Sequence, residues 1–160
     1  MLIGLVLVWM AALSHYDVRQ RRLPDRLTLP GFGAIILAAV AALIAAKLVP
    51  LVFAAHGGTL DHDGVPVPIS RTYATGRSVE VDALLLAGSP AEANARILLD
   101  ETFRHLKPIA VLPQGGDLLA TAGVSSGGAG IFVGSEPSSI VDSLVSALEQ
   151  HRIWDRVVPT

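Results

Sequence analysis

The chain of 160 residues contains no cysteine, so a catalytic or ligand-binding side chain must be of another type, such as serine, histidine or aspartate. Without cysteine there are no disulfides, no thiolate nucleophiles and no cysteine-ligated zinc or iron–sulfur sites. One stretch, Gly123–Gly127, matches the Gly-x-Ser-x-Gly pattern of hydrolase elbows. That motif needs a strand before the serine and a helix after it. The predicted order is reversed here, so we predict a flexible Gly/Ser connection.

Histidine and aspartate also occur where ligands could bind. Asp61-His62-Asp63 has metal-ligand atoms, but three consecutive side chains do not converge easily on one ion, and Asp63-Gly64 is a strong turn signal. We therefore predict a turn. His56 follows a predicted strand, at the sheet edge where α/β proteins bind ligands. One prediction is a small-molecule site at that edge, formed by His56 with Gly88 and Gln114. The alternative is that His56 belongs to a structural turn.

The elements that would position these residues alternate between strand and helix from Leu48 onward. Strands separated by helices imply parallel pairing and right-handed crossovers, so the predicted class is α/β with three layers. We predict strands at Val49–Ala54, Val81–Leu86, Ile109–Leu112 and Gly130–Val133, an edge segment at Val65–Ile69, and helices at Asp117–Ala122 and Pro137–His151.

A further helix is predicted to begin with a capping box. Ser89 would be the N-cap, Pro90 the first helical residue and Glu92 the residue that bonds back to the cap. Its apolar face has helical spacing, and Lys107-Pro108 ends it. The residues on that face are Leu98, Leu99, Thr102, Phe103 and Leu106.

The charge pattern excludes one class of partner. The formal net charge is −2, which gives no basic face for nucleic acid. His105 and His151 are predicted on helices and solvated, whereas Trp154 is predicted to anchor packing or an interface.

The first 46 residues have two interpretations. Met1–Leu13 is an apolar run of thirteen residues and Leu27–Ala46 has twenty residues without a charge, about the length of a membrane span. The basic stretch Arg19–Arg26 would then face the cytoplasm. Alternatively, Met1–Val8 is a buried parallel strand and Ala34–Ala46 a helix that covers the sheet. We divide the chain into a hydrophobic segment, 1–46, with possible membrane contact, and a domain, 47–160.

About two thirds of the chain, residues 48–156, resembles the C-terminal domain of large-subunit haem catalases. The resemblance rests on His56–Thr59, Asp63-Gly64, Ser78–Leu86 and Lys107-Pro108-Ile109, and most specifically on the ending Ala147–Arg156. It implies a flavodoxin-like domain similar to DJ-1/PfpI proteins and class I glutamine amidotransferases. In large catalases this domain is appended to the haem barrel and is regarded as structural.

The same resemblance allows a test for catalysis. DJ-1/PfpI proteins carry a nucleophilic cysteine after the strand equivalent to Ile109–Leu112, followed by histidine. Here Pro113 and Gln114 occupy those two positions. Proline has no nucleophilic atom and glutamine is not a general base, so we expect no catalytic residue there.

Haem is expected only in an associated catalase core, and this chain is expected to hold no cofactor or metal. Catalase chemistry needs a tyrosinate on the iron. The chain has only Tyr16 and Tyr73, and the spacing and neighbours of Tyr73 do not resemble the catalase haem-ligand segment.

Residues of about 10–45 resemble a fragment of type IV prepilin peptidases, which are membrane aspartic proteases. The likeness rests on Asp17–Asp25 and Leu27–Gly31, and it implies Asp17 as a first catalytic aspartate. Such a protease needs a second carboxylate from a Gly-x-Gly-Asp segment. The nearest string, Gln114-Gly115-Gly116-Asp117, lacks the first glycine and lies in the other domain.

Together these features predict a non-catalytic accessory domain that self-associates or packs on a haem catalase. It would be cytoplasmic, anchored to the membrane if residues 1–46 span it. The alternatives are a membrane protein derived from a prepilin peptidase and a small-molecule binding module of the DJ-1/PfpI fold.

Overall fold

The computed structural model describes residues 25–62 and 65–158, so Asp17, Tyr16 and the turn residues Asp63 and Gly64 lie outside the described residues. Helices and short strands follow one another through these ranges. The helices are α1 (Asp25–Ala45), α2 (Ala93–Arg104), α3 (Gly116–Thr121) and α4 (Pro137–Leu148), and the strands are β1 (Phe53–Ala54), β2 (Thr59–His62), β3 (Val65–Pro68), β4 (Arg71–Thr72), β5 (Leu84–Leu86), β6 (Ile109–Val111) and β7 (Ile131–Val133).

A parallel sheet in the order β5-β6-β7 forms the middle layer, which confirms the α/β class. All three residues of β6 are fully buried. Because side chains alternate across a strand, Ile109 and Val111 face one helical layer while Ala110 and Leu112 face the other. A strand covered on both faces has no polar position, which is why the run Ile109–Leu112 is uniformly apolar.

Helices α2 and α3 cover the first face of the sheet. They contribute Ala95, Leu99, Leu118 and Leu119, each 6% exposed or less. The predicted spacing of the α2 face is confirmed, because Leu98, Leu99 and Thr102 are buried.

Helices α1 and α4 cover the second face. Ala39 of α1, 3% exposed, packs in one cluster with Ile140 and Leu144 of α4 and with Ala110 and Leu112 of the sheet. Small alanine side chains let α1 approach closely, as the interpretation of Ala34–Ala46 as a covering helix predicts. The division of the chain at residue 46 stays a prediction. Through the described ranges, no helix combines the length and the apolarity needed to cross a membrane.

The strands before β5 form two separate ladders. β1 pairs with β4 in parallel, and β2 pairs with β3 in antiparallel, with His62 opposite Val65. The predicted buried strand Val49–Ala54 is wrong over most of its length. Val49 is 88% exposed, and Pro50 cannot donate to a ladder.

The predicted capping box of α2 is also wrong. The helix begins at Ala93 after Glu92, whose side chain makes no cap hydrogen bond. Ser89 is engaged elsewhere, at the start of α3. The carboxyl ends of adjacent parallel strands lie side by side, so a hydroxyl just after β5 reaches the helix that follows β6.

Helix α2 ends without the glycine that commonly takes the left-handed position after a helix. Leu106 follows α2 with a φ of 57°, the amide of Leu106 bonds to Phe103, and that of Lys107 bonds to Thr102. This is a Schellman ending with leucine in the left-handed position. His105 and His151 lie just beyond α2 and α4 rather than on them, because both helices end earlier than predicted.

Candidate functional site

The turn after β6 has the strand–turn–helix geometry of an elbow. Leu112 is 1% exposed and leads into the 3-10 turn Pro113–Gly115, then into α3. The turn runs against β5, since a Cβ added to Gly115 would lie 2.6 Å from the Leu86 Cβ atom. At the position of an elbow nucleophile stands Pro113, which is exposed and has no group able to attack or to transfer a proton.

Ser89 joins this turn to the end of β5. Its Oγ donates to the carbonyl oxygen of Gln114 at 2.7 Å and accepts from the amide of Leu118 at 3.0 Å. The hydroxyl therefore satisfies a free amide in the first turn of α3. The side-chain Oε1 of half-buried Gln114 is buried and has no hydrogen-bond partner among the described residues.

His56, which the sequence places in a ligand site with Gly88 and Gln114, follows β1 and is exposed. Among the described residues, no hydrogen bond joins it to Gly88 or Gln114. Of the three residues of the predicted small-molecule site, the structure connects only the Gly88-Ser89 segment with Gln114.

The other candidate residues are spread across the fold. Asp61 and His62 are residues of β2 rather than turn residues, and the Gly123–Gly127 stretch follows α3 and precedes β7. Asp117 is exposed in the first turn of α3. Where the chain is described, no three metal-ligating side chains come together.

A serine–histidine pair occurs at a place that the sequence did not indicate. Ser78 Oγ lies 2.8 Å from His105 Nδ1, and the Ser78 amide donates to Glu101 Oε2 at 3.5 Å. Such a pair is the starting point for nucleophilic catalysis. Ser78, however, is 0% exposed, and Glu101 meets its backbone instead of the imidazole. The pair therefore ties the 3-10 turn Ser78–Glu80 to the end of α2, and although His105 is exposed, the serine hydroxyl is not accessible to a substrate.

Lys107 lies beside that pair and is only 4% exposed. Its Nζ donates to the carbonyl oxygen of Ser78 at 2.6 Å and to that of Val81. Burial lowers the pKa of Lys107, the charge of Arg152 lowers it further, and Asp82 acts in the opposite direction. The ammonium group thus holds together the chain before β5 and the chain before β6.

Arg156 makes a second buried cationic contact. It is 6% exposed and donates to the carbonyl oxygens of Phe103, Lys107, Ala129 and Gly130 at 2.8–3.2 Å. Burial lowers the pKa of Arg156 to about 10. The guanidinium therefore fixes the C-terminal segment to the loops that enter β6 and β7.

The sequence predicts Lys107 only as the end of a helix and includes Lys107 and Arg156 only in the family resemblance, and it predicts a buried contact for neither. Lys107 precedes the buried strand run Ile109–Leu112 by one proline, and Arg156 follows Asp155 in the C-terminal segment. Trp154, predicted to anchor packing or an interface, is 74% exposed, so it does not pack within the described chain.

A large apolar cavity lies between α1, β1 and β5. Its volume is about 820 Å³, and its walls include Ile36, Leu43, Phe53, Leu85 and Leu144.

Tyr73 lies on the wall of this cavity. Burial, and secondarily the charge of Glu92, raise the pKa of Tyr73 above its ordinary value. Its phenolate form is therefore disfavoured.

Two family models match the chain. That of the C-terminal domain found in long catalases matches residues 34–158, and that of the type IV leader peptidase family matches residues 4–60. Catalase HPII of Pseudomonas aeruginosa is 36% identical over 93 residues, which cover 52% of this chain. The chain spans only 13% of the length of that relative.

Proposed function

This chain belongs to the family of C-terminal domains found in long catalases, and from that membership we propose that it is a non-catalytic, flavodoxin-like accessory domain for a haem catalase. The observation that carries the proposal is Pro113 at the elbow after β6. A related fold with DJ-1/PfpI chemistry would need a thiolate there, and this edge provides only a capping hydroxyl and a buried amide oxygen.

A second argument concerns haem. A tyrosinate ligand must lose its proton to bind iron. Burial and the charge of Glu92 raise the pKa of Tyr73, which favours the neutral phenol over the tyrosinate that haem iron needs. We therefore assign haem, and with it peroxide decomposition, to a separate catalase core.

The exposed apolar residues near the C-terminus support an interface with that core or with a second copy. Trp154 and Val157 are 74% and 85% exposed, and the buried contacts of Ile153 and Arg156 fix the segment that carries them. Large aromatic side chains presented on fixed backbone are typical anchors of interfaces.

The test mixes the purified full chain with a haem catalase that lacks its own C-terminal domain. We expect co-elution, a higher unfolding temperature of the catalase and no haem absorbance or peroxide decomposition by the chain alone. Trp154→Ala should weaken co-elution, whereas Ile97→Ala, at another exposed apolar residue (51%), should not. Peroxide decomposition by the isolated chain, or no association with the catalase, would overturn the proposal.

The leader-peptidase match favours a second candidate, a membrane protein derived from that family. Its residues 34–60 run through α1 to β2 and so are shared with the catalase-domain match. Asp17 would supply one catalytic carboxylate. The string most like the Gly-x-Gly-Asp segment offers Asp117 as the second carboxylate, and Asp117 is exposed on α3. Cleavage of a prepilin-type leader that Asp17→Asn abolishes would support this candidate, and no cleavage by the unsubstituted chain would dismiss it.

A further inference from the structure

The end of α2 holds two separate segments of the chain in place. The hydroxyl of Ser78 lies 2.8 Å from His105 Nδ1, which fixes the 3-10 turn Ser78–Glu80. The amide of Ile153, far along the sequence, donates to the carbonyl oxygen of Leu106 at 2.8 Å. Because His105 and Leu106 are consecutive residues, the turn and the C-terminal segment lie beside the same end of α2.

Both segments expose large apolar side chains. Val79 is 75% exposed, Trp154 is 74% exposed and Val157 is 85% exposed. The backbone that carries them is fixed by buried neighbours, since Ser78 and Arg156 are 0% and 6% exposed. A fixed backbone lowers the ordering cost that binding must overcome. We call Val79, Trp154 and Val157 the α2-end surface.

Charges of both signs lie beside the α2-end surface. Burial lowers the pKa of Lys107, the charge of Arg152 lowers it further, and Asp82 acts in the opposite direction. The Nζ atom of Lys107 donates to the carbonyl oxygen of Ser78 at 2.6 Å. The charges that act on this ammonium group therefore lie near the turn that carries Val79.

We propose that the α2-end surface binds a second copy of this chain about a two-fold axis. This deepens the proposed function, because it rests on Trp154 as an interface anchor and names the partner. A two-fold interface brings one patch against itself, so a patch with charges of both signs can pair each charge with its opposite. Arg152 and Asp155 flank Trp154 with opposite signs, and within the described residues neither forms an ion pair. The pairing then sets Arg152 of each copy opposite Asp155 of the other.

The overall charge of the chain suits this partner. The formal net charge is −2, so two copies repel each other only weakly. A partner with one dominant sign of charge would meet a like charge on this surface, either Arg152 or the acidic pair Asp82 and Asp155. Like-charge contacts of that kind select against a partner, whereas a second copy avoids them.

Sedimentation velocity of the purified full chain without catalase, over a wide range of protein concentration, tests this inference. We expect a monomer–dimer equilibrium, and Trp154→Asp should raise its dissociation constant at least about tenfold because a charge enters the centre of the interface. Ile97→Asp is the matched control, at an exposed apolar residue of α2 (51%), and should leave the dissociation constant unchanged. A chain that stays monomeric at every concentration, or equal effects of the two variants, would overturn the proposal.

Charge reversal tests the two-fold arrangement. Arg152→Asp and Asp155→Arg should each weaken self-association, because like charges then face each other. An equal mixture of these two variants should form the mixed dimer at least about tenfold more strongly than either variant pairs with itself, since every opposite-charge pair is restored. Fluorescence transfer between differently labelled variants measures the mixed dimer. No preference for it would contradict a two-fold interface at Trp154.

A further readout follows Trp154 itself. The chain has two tryptophans, so Trp9→Phe makes the tryptophan fluorescence report Trp154 alone. Its emission should shift to shorter wavelength as the dimer forms, because the indole leaves water. Unchanged emission during dimer formation would place the interface elsewhere and refute the proposal.

These outcomes are distinct from those of the catalase experiment. Self-association through Trp154 without catalase binding would leave this inference in place and overturn the accessory role. Catalase binding by a chain that remains monomeric would do the reverse.

Discussion

The guanidinium of Arg156 lies over the ring of Phe103, with its central carbon 4.7 Å from the ring centre, and its Nη1 donates to the Phe103 carbonyl oxygen at 3.1 Å. This contact joins the C-terminal segment to the end of α2 across 53 residues of sequence. The same side chain reaches the loops before β6 and β7. Arg156, together with buried Ile153, thus ties the C-terminal segment to the core.

Replacing Arg156 by methionine should destabilise the fold by about 3–5 kcal/mol, because several buried carbonyl groups lose their donor. The measurement is the free energy of unfolding in urea. Arg104→Met is the control, since Arg104 pairs with Asp100 at an exposed site and its loss should cost under about 0.5 kcal/mol. Equal losses in the two variants would refute a structural role for Arg156.

Lys107→Met keeps the apolar stem of Lys107 but removes the donor to Ser78 and Val81. We expect a loss of about 1–3 kcal/mol in unfolding free energy, the cost of unsatisfied buried carbonyls. Lys47→Met, at an exposed residue, should have little effect. A variant at Lys107 that matched or exceeded the stability of the original chain would show that burial of the charge outweighs its hydrogen bonds.

Two adjacent glycines should respond oppositely to alanine. At Gly115, a Cβ would meet the Leu86 Cβ and carbonyl oxygen at 2.6 and 2.7 Å, so Gly115→Ala should cost about 1–3 kcal/mol. At Gly116, which begins α3, an added Cβ would lie more than 4 Å from the other described atoms that it could meet. Gly116→Ala should therefore be neutral or stabilise by up to about 1 kcal/mol. Thermal unfolding of both variants distinguishes close packing from general intolerance of this turn.

Ser89→Ala removes the cap of α3 and should cost about 1 kcal/mol. Hydrogen exchange at Leu118 should accelerate more than exchange in α2, since Ser89 bonds to α3 and not to the helix that directly follows it in sequence. Ser143→Ala, at a hydroxyl that bonds within α4, provides the matched serine control. Faster exchange at the start of α2 alone would instead support the prediction that Ser89 is the N-cap of α2.

The phenol of Tyr73 should ionise at higher pH than an ordinary tyrosine, because burial and Glu92 raise its pKa. The folded chain then holds a proton that the unfolded chain has lost. This contribution to stability is complete below the ordinary tyrosine pKa of about 10, and it falls as pH rises from there through the higher pKa of the folded state. Tyr73→Phe should make alkaline unfolding less dependent on pH.

The direct measurement is a tyrosinate absorbance titration. The chain has two tyrosines, so a Tyr16→Phe variant reports Tyr73 alone. Ionisation at the ordinary tyrosine pKa would contradict the burial of this phenol.

Much of the fold could be predicted from local pattern. The apolar runs at Ile109–Leu112 and Gly130–Val133 became β6 and β7, and the helical spacing around Leu98 and Leu144 became the buried faces of α2 and α4. These elements were predictable because each buries one continuous face, and burial imposes its period on the sequence. The position of Pro113 directly after this strand was predictable too, since it follows from where the apolar run ends.

Contacts between distant residues were not predictable in the same way. Ser89 had the local pattern of a cap for α2, yet its hydroxyl serves α3. Lys107 and Arg156 had polar identities that suggested exposure, yet each is buried among carbonyl groups contributed by other segments. Local sequence records which groups need partners but not which distant groups will supply them.

Residue types and their spacing along a few turns of chain therefore predict the α/β class, the apolar layers and the position of Pro113 after β6. Only contacts between distant segments establish which end of which helix Ser89 caps, which carbonyls accept from Lys107 and Arg156, and that an apolar space lies between β1 and β5. Those outcomes depend on parallel strands bringing together residues that lie 25 or more positions apart in sequence, and a pattern confined to neighbouring residues carries no information about them.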